Sequence, residues 1–335
     1  MHLGITDLVW KGARRALAVP NRMPGYLAAV RRLHASRVAI VMYHGVVADP
    51  LPVWNWCQVH RDEFKLQIEF LAAEYNVLPL DEVVDRLRRS APLPPRVACL
   101  TFDDGFRNVA TTAFPILEQY QIPSTIFLVT GVVGTNQPAW PDILFHALAT
   151  TKATEVVFDE SRWPLQTPDQ RSQAFGALVS RLIEMQRQRK DDALTEIDRQ
   201  LDPFSRIGPE SPLASMNWDE VDRLAKTGLV NFGSHTHTHQ ILARCEAKDQ
   251  ETELRASRDI LIERLGSAEL FAYPNGGRGD FTEATGRLLE RLGYRCGLTT
   301  IPGLNKITRD LYTLKRVNVG ADTSLHRFEL LMAGL

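Results

Sequence analysis

The chain has 335 residues, 44% apolar and 24% charged, with a formal net charge of −1. This is the composition of a soluble protein with material for one large core, and an α/β barrel can take such a length as one domain. Near-neutral charge argues against nucleic acid as the main partner, and no run approaches the ~20 apolar residues of a membrane span.

Residues 1–37 stand apart. They carry Lys11, Arg14, Arg15, Arg22, Arg31, Arg32 and Arg37 against a single acid, Asp7. Trp10, Leu17, Tyr26, Leu27 and Val30 interleave with them at near-helical spacing, and Pro20 and Pro24 divide the segment. Two readings stay open: helices packed on the domain, or a basic amphipathic surface resting on an anionic membrane. No apolar run of ~7–15 residues follows the basic start, so no secretory leader is read. The expected compartment is the cytoplasm, peripheral at the inner membrane face if the segment binds lipid. The domain proper is expected over 38–335.

Val38-Ala39-Ile40-Val41-Met42 predicts a strand, followed by Tyr43-His44-Gly45-Val46. His44, just past a strand end, can reach the mouth of a barrel. A helix is expected over 64–75 from the spacing of Phe64, Ile68 and Leu71. A short strand at Val77-Leu78 and a helix over 80–89 follow. Arg96-Val97-Ala98-Cys99-Leu100 reads as a buried strand behind Pro94-Pro95. It delivers Thr101-Phe102-Asp103-Asp104-Gly105, where glycine lets the backbone turn at once. Side chains alternate along a strand, so Asp103 and Asp104 cannot do the same job. One can hold a metal while the other takes a proton; a simple helix-capping Asp is the plainer alternative. A helix over 108–120 and a strand over 124–129 continue an alternation that implies a parallel sheet.

Residues 136–215 interrupt that rhythm and read as an insertion on one rim: a helix from Trp140 to about 149, a hairpin over Asp159-Glu160-Ser161, and a polar helical stretch over 169–200. The alternation resumes with a helix over 218–227 capped by Asn217 and a strand over 229–233. This strand leads into Ser234-His235-Thr236-His237-Thr238-His239. Helices over 251–265, 282–292 and 325–332 and strands over 269–272, 296–299 and 311–319 complete the chain. Cys57, Cys99, Cys245 and Cys296 lack metal-type spacing and read as free thiols.

His235 and His239 are four apart, which on a helical turn places both on one face. Two imidazoles so spaced form half of a divalent-metal site, and a carboxylate from another strand end would complete a three-ligand site open to water and substrate. Three histidines in five residues stand out in a chain with nine. His237, between them, should point away.

Together these motifs resemble the polysaccharide deacetylases, the NodB-like carbohydrate esterase family. Thr101-Phe102-Asp103-Asp104-Gly105 and Ser234-His235-Thr236-xx-His239 carry the resemblance. Ala113-Phe114-Pro115-Ile116-Leu117, Trp218-Asp219-Glu220 and Phe271-Ala272-Tyr273-Pro274 support it in the proper order. The resemblance implies a distorted (β/α) barrel with Asp103 as general base and Asp104, His235 and His239 as ligands of zinc or another divalent ion such as Co²⁺ or Ni²⁺. It also implies that the backbone N–H of Asn275 faces the developing oxyanion.

Two departures stand out. The family usually has an arginine two residues before the proline of this last motif, where the chain has Ala272. A subgroup resembling the poly-N-acetylglucosamine deacetylases also reads Phe-Ala-Tyr-Pro and shares the Tyr-His-Gly-Val stretch. The family's final strand usually supplies a histidine as general acid; Leu311 to Val319 has none, which leaves His44 as the candidate. The expected activity is removal of acetyl from an N-acetylated amino sugar in a poly- or oligosaccharide or a lipid-linked glycan precursor. The competing readings are an amidohydrolase or deformylase on another small amide, and a non-catalytic carbohydrate-binding relative.

Overall fold

The computed structural model describes residues 25–135, 138–201, 207–208, 210–306 and 310–335. β1 (Val38–Tyr43) forms where six consecutive side chains all become buried, as expected of a parallel strand covered on both faces. β2 (Gly45–Val47) and β3 (Gln58–His60) make a short parallel pair beside it. β4 (Asn76–Val77), β5 (Val97–Phe102) and β6 (Ser124–Leu128) follow, then a hairpin of β7 (Glu155–Phe158) and β8 (Ser161–Pro164). β9 (Val230–Ser234), β10 (Leu298–Pro302) and β11 (Leu314–Asn318) end the series.

The main sheet runs β10-β11-β1-β5-β6-β9, all parallel, with β4 pairing the start of β5. Two isolated parallel bridges, Ser234 to Phe271 and Ala272 to Leu298, join β9 to β10. They close the sheet into a distorted (β/α) barrel. The strand expected over 269–272 is cut to these bridges. Ala272 N–H donates to Ser234 O at 3.0 Å and Leu298 N–H to Phe271 O at 2.9 Å.

Alternation decides what faces the barrel interior. Val38 and Ile40 of β1, Val97 and Cys99 of β5, Leu298 and Leu314 share one apolar cluster, to which the helix Leu80–Arg88 adds Leu80, Val83, Val84 and Leu87. Asp103 lies four residues beyond Cys99, and Arg316 two beyond Leu314. The period of two therefore carries both charged side chains to the interior face at the strands' C-terminal ends. The opposite face of the sheet (Val41, Leu100, Phe102, Ile126) packs on Phe64, Ile68 and Leu71 of the helix Arg61–Glu74 and on Phe114 and Leu117 of the helix Phe114–Tyr120.

The segment between β6 and β9, expected above as a rim insertion, has its own apolar cluster, including Leu144, Leu148, Val156, Phe158, Leu178 and Leu182. Its polar stretch is two helices, Pro168–Leu182 and Arg187–Asp198, instead of one. The hairpin turns through Asp159 and Glu160 at φ 50° and 61°, the mirror-image turn that suits strand twist.

Residues 25–37 dock on the barrel. The Arg31 guanidinium lies 5.4 Å over the Phe70 ring and 3.6 Å from Glu74. His34 Nδ1 lies 2.7 Å from Ala333 O, and Arg96 N–H donates to Ala35 O at 2.7 Å. The earlier part of the basic segment, with Trp10, lies outside the described residues. No described helix is long and apolar enough to cross a membrane. The four cysteines are free thiols, and Cys99, Cys245 and Cys296 are buried.

Candidate active site

β5 ends at Phe102, and the chain turns at once. Asp103 N–H still donates to Tyr43 O across the β1–β5 ladder at 3.0 Å. Asp104 then takes φ 68° and Gly105 φ 73°, which sends the two carboxylates in different directions. The positive φ at Gly105 favours glycine, and a Cβ there would also sit 2.7 Å from Leu128 Cδ2 of β6.

Asp103 is clamped by Arg316 of β11, a residue that the sequence reading passed over. Arg316 Nη1 donates to Oδ1 at 2.8 Å and Nη2 to Oδ2 at 2.7 Å, while Nε donates to Thr299 O at 2.8 Å. The arginine is fully buried. Burial opposes ionisation of Asp103, but the Arg316 guanidinium outweighs it, with help from His235 and His44, and holds the carboxyl below its ordinary range. The fork also fixes the carboxylate plane. A signal existed in the sequence: Leu314-x-Arg316 puts a cation on the apolar face of a strand, where it must find an anion.

Asp104, His235 and His239 converge, with one potential ligand atom from each lying within 4.8 Å of the others. Asp104 Oδ1 is 3.5 Å from His235 Nε2 and 3.3 Å from His239 Nε2. Ligand atoms about 2.0–2.1 Å from a tetrahedral zinc lie about 3.4 Å apart, which both distances from Asp104 match. Asp104 Oδ1 is buried and faces these two imidazole nitrogens, as a ligand atom would. His235 Nδ1 can only donate to Ala272 O, at 2.8 Å, which leaves the Nε2 lone pair for a metal. Burial pushes the His235 pKa down to about 4, so the ring is neutral. Burial also opposes ionisation of Asp104, but His239, His44 and His235 together hold its carboxyl below the ordinary range.

The histidines are not on a helical turn. They sit in a loop in which Thr236 and His239 adopt φ 64° and 58°, bringing the rings to 5.0 Å between centroids. Glu253 of the helix Ala247–Leu265 holds this loop. It accepts the N–H groups of His237 at 3.1 Å and Thr238 at 2.8 Å, and the Thr238 hydroxyl at 2.6 Å. From the insertion, buried Lys190 donates to Gln240 Oε1 at 2.8 Å. His237 turns away to Thr130 Oγ1, 3.1 Å from its Nδ1.

His44 lies in the fields of Asp104, Asp103 and His239, and burial lowers its pKa. Its Nδ1 is buried without a partner. Asp142, on the helix Trp140–Thr150 of the insertion, is a second group that sequence reasoning missed. Burial, then the charge of nearby Asp104, push its pKa well above the carboxylate range. Nothing in the local sequence marks it, since only packing of the insertion brings it near Asp104. Asn275 takes φ 60°, its carbonyl accepts from Thr300 Oγ1 at 2.7 Å, and its side chain donates to Asp280. No backbone hydrogen bond among the described residues uses its N–H.

Residues 90–160 and 184–297 match the polysaccharide deacetylase family model. The chain belongs to the polysaccharide deacetylase family. The unmatched stretch between the two blocks falls inside the rim insertion. Among curated relatives, YxkH of Bacillus subtilis is 20% identical over 316 residues, covering 94% of this chain and 82% of that protein. A poly-beta-1,6-N-acetyl-D-glucosamine N-deacetylase of Staphylococcus epidermidis is 30% identical over 112 residues, 32% of this chain and 36% of the relative. Two solved structures share the fold. Streptococcus pyogenes PplD, in complex with acetate, matches with TM-score 0.60 and 20% identity over 88% of this chain and 98% of its own. IcaB of Ammonifex degensii matches with TM-score 0.55 and 18% identity over 89% and 98%. Within the family, the Ala272 departure meets a physical answer here: a guanidinium still grips Asp103, but from β11.

Proposed function

We propose that this polysaccharide deacetylase hydrolyses the N-acetyl group of an amino sugar in a poly- or oligosaccharide or a lipid-linked glycan precursor, releasing acetate. The observation that carries the reading is the open Asp104-His235-His239 donor set beside a carboxylate that Arg316 keeps ionised. Asp104, His235 and His239 would hold a divalent ion, zinc by donor type with Co²⁺ or Ni²⁺ as substitutes. Such an ion polarises the acetamide carbonyl and acidifies the attacking water. Asp103 accepts that water's proton, and the arginine fork keeps its lone pairs aimed into the cleft. The Asn275 N–H donates to the carbonyl oxygen as negative charge gathers there. His44 passes a proton to the leaving nitrogen.

Acetate release from poly-β-1,6-N-acetylglucosamine and from chito-oligomers tests the reading. Turnover should vanish on chelation and return with Zn²⁺, Co²⁺ or Ni²⁺; His235→Ala and His239→Ala should bind no ion. Asp103→Asn should keep the ion and lose about 10²–10⁴-fold in turnover. His44→Gln should slow turnover more than Asp142→Asn; the reverse order would move the acid role to Asp142. Formate or a ring-opened acid as product, or full activity after chelation, overturns the reading.

A further inference from the structure

The segment between β2 and β3 alternates in burial like a strand. Val53 and Asn55 are 4% and 5% exposed, whereas Trp54 and Trp56 are 44% and 41% exposed. Residues two apart in extended chain share a face, so both indoles stand on the outer side of this segment. The backbone beneath them is fixed. Cys57 N–H donates to Asn55 Oδ1 at 2.9 Å, Ala321 N–H donates to Trp56 O at 2.8 Å, and the Ser172 hydroxyl donates to Trp54 O at 3.2 Å. A Cβ at Gly320 would lie 3.1 Å from Trp56 O, so the glycine lets the loop after β11 come close to the Trp56 backbone. The segment is thus tied both to the loop after β11 and to the rim insertion while it presents two large apolar faces to water. Exposed aromatic surface held so firmly offers a ligand a preformed apolar contact.

The position of the pair identifies what binds. The Trp56 ring meets His44 edge-on, 4.8 Å between centroids, and His44 lies in the fields of Asp103 and Asp104. A ligand on Trp56 would therefore lie next to the reacting group. A pyranose ring has an apolar C–H face and a polar rim, and the indole offers the matching flat apolar face.

We propose that Trp54 and Trp56 form a stacking platform for the sugar rings flanking the amino sugar that is deacetylated, so that these two residues set how strongly the enzyme prefers a chain to a single sugar. This rests on the deacetylase reading, which it deepens. The test measures kcat/KM for acetate release from N-acetylglucosamine, from its β-1,4-linked pentamer and from its β-1,6-linked pentamer. Wild type should prefer a pentamer to the monomer. Trp54→Ala and Trp56→Ala should each lower that preference about tenfold, mainly through KM, while Trp56→Phe should keep most of it. In parallel, a pentamer should perturb tryptophan fluorescence of the wild-type protein and not of the Trp54→Ala/Trp56→Ala variant, whose fold is checked by circular dichroism. Fluorescence binding without acetate release would sink the deacetylase reading and keep the platform. An unchanged pentamer-to-monomer ratio in correctly folded alanine variants overturns the platform. So does a wild-type dimer that the double variant abolishes while that ratio stays intact.

Discussion

Arg316 and Asp103 are both buried and meet by two parallel hydrogen bonds. Neither tolerates loss of the other, because an unpaired charge would remain inside the barrel. Arg316→Met keeps much of the volume and should destabilise the fold by about 3–5 kcal/mol near neutral pH. The sign of the pH dependence follows from the depressed Asp103 pKa. Stability from the pairing is present above the unfolded carboxylate pKa of about 3.9 and is lost as pH falls through the lower native value. The variant's deficit should therefore shrink on acidification, as read by denaturant unfolding at several pH values. Its acid limb in kcat/KM should move to higher pH, since Asp103 regains proton affinity once the guanidinium is gone. Arg316→Lys should rescue only part of both effects, because an ammonium cannot form the fork. An acid limb unmoved in Arg316→Met would show that Asp103 is not the group titrating.

The element that matters most for the candidate metal site is the loop after β9. Its left-handed residues Thr236 and His239 pay for the close approach of the two imidazoles, and such backbone persists only where its surroundings over-determine it. Glu253 supplies that constraint from one side and Lys190, through Gln240, from the other. Glu253→Ala would leave two loop N–H groups without their buried acceptor. Zinc affinity, measured by competition with a chromogenic chelator, should fall about 10–100-fold, the usual effect of removing a group that orients the ligands. An unchanged affinity would mean that the loop holds its shape unaided. The four-residue histidine spacing was legible in the sequence, but its conformation was not. The same spacing suits a helical turn, and the bent loop is chosen by β6 and by Glu253, which lie elsewhere in the chain.

At the scale of the whole molecule, the basic N-terminal segment divides. Residues 25–37 touch the barrel through Arg31, His34 and Ala35, whereas Lys11, Arg14, Arg15 and Arg22 precede them. If those four cations face an anionic lipid surface, each contributes about 1 kcal/mol at low salt, screened over about 8 Å at physiological ionic strength. Removing residues 1–24 should abolish salt-sensitive sedimentation with phosphatidylserine vesicles and leave the unfolding midpoint unchanged. Removing 1–37 should also lower the midpoint, because the contacts to Glu74, Arg96 and Ala333 are lost. Vesicle binding that survives the shorter deletion would refute a membrane role for the segment. The sequence by itself determined the alternating strand-helix order, the Asp103-Asp104 turn and the histidine pair, because these depend on spacing within a few residues. Only the tertiary structure decided that the barrel closes through two bridges at 271–272, that Asp142 comes near Asp104, and that Asp103 is gripped by Arg316. That last pair is 213 positions apart. Period-two alternation sets the face on which each side chain lies, but which strand ends meet is fixed by sheet order and closure, which no local pattern encodes.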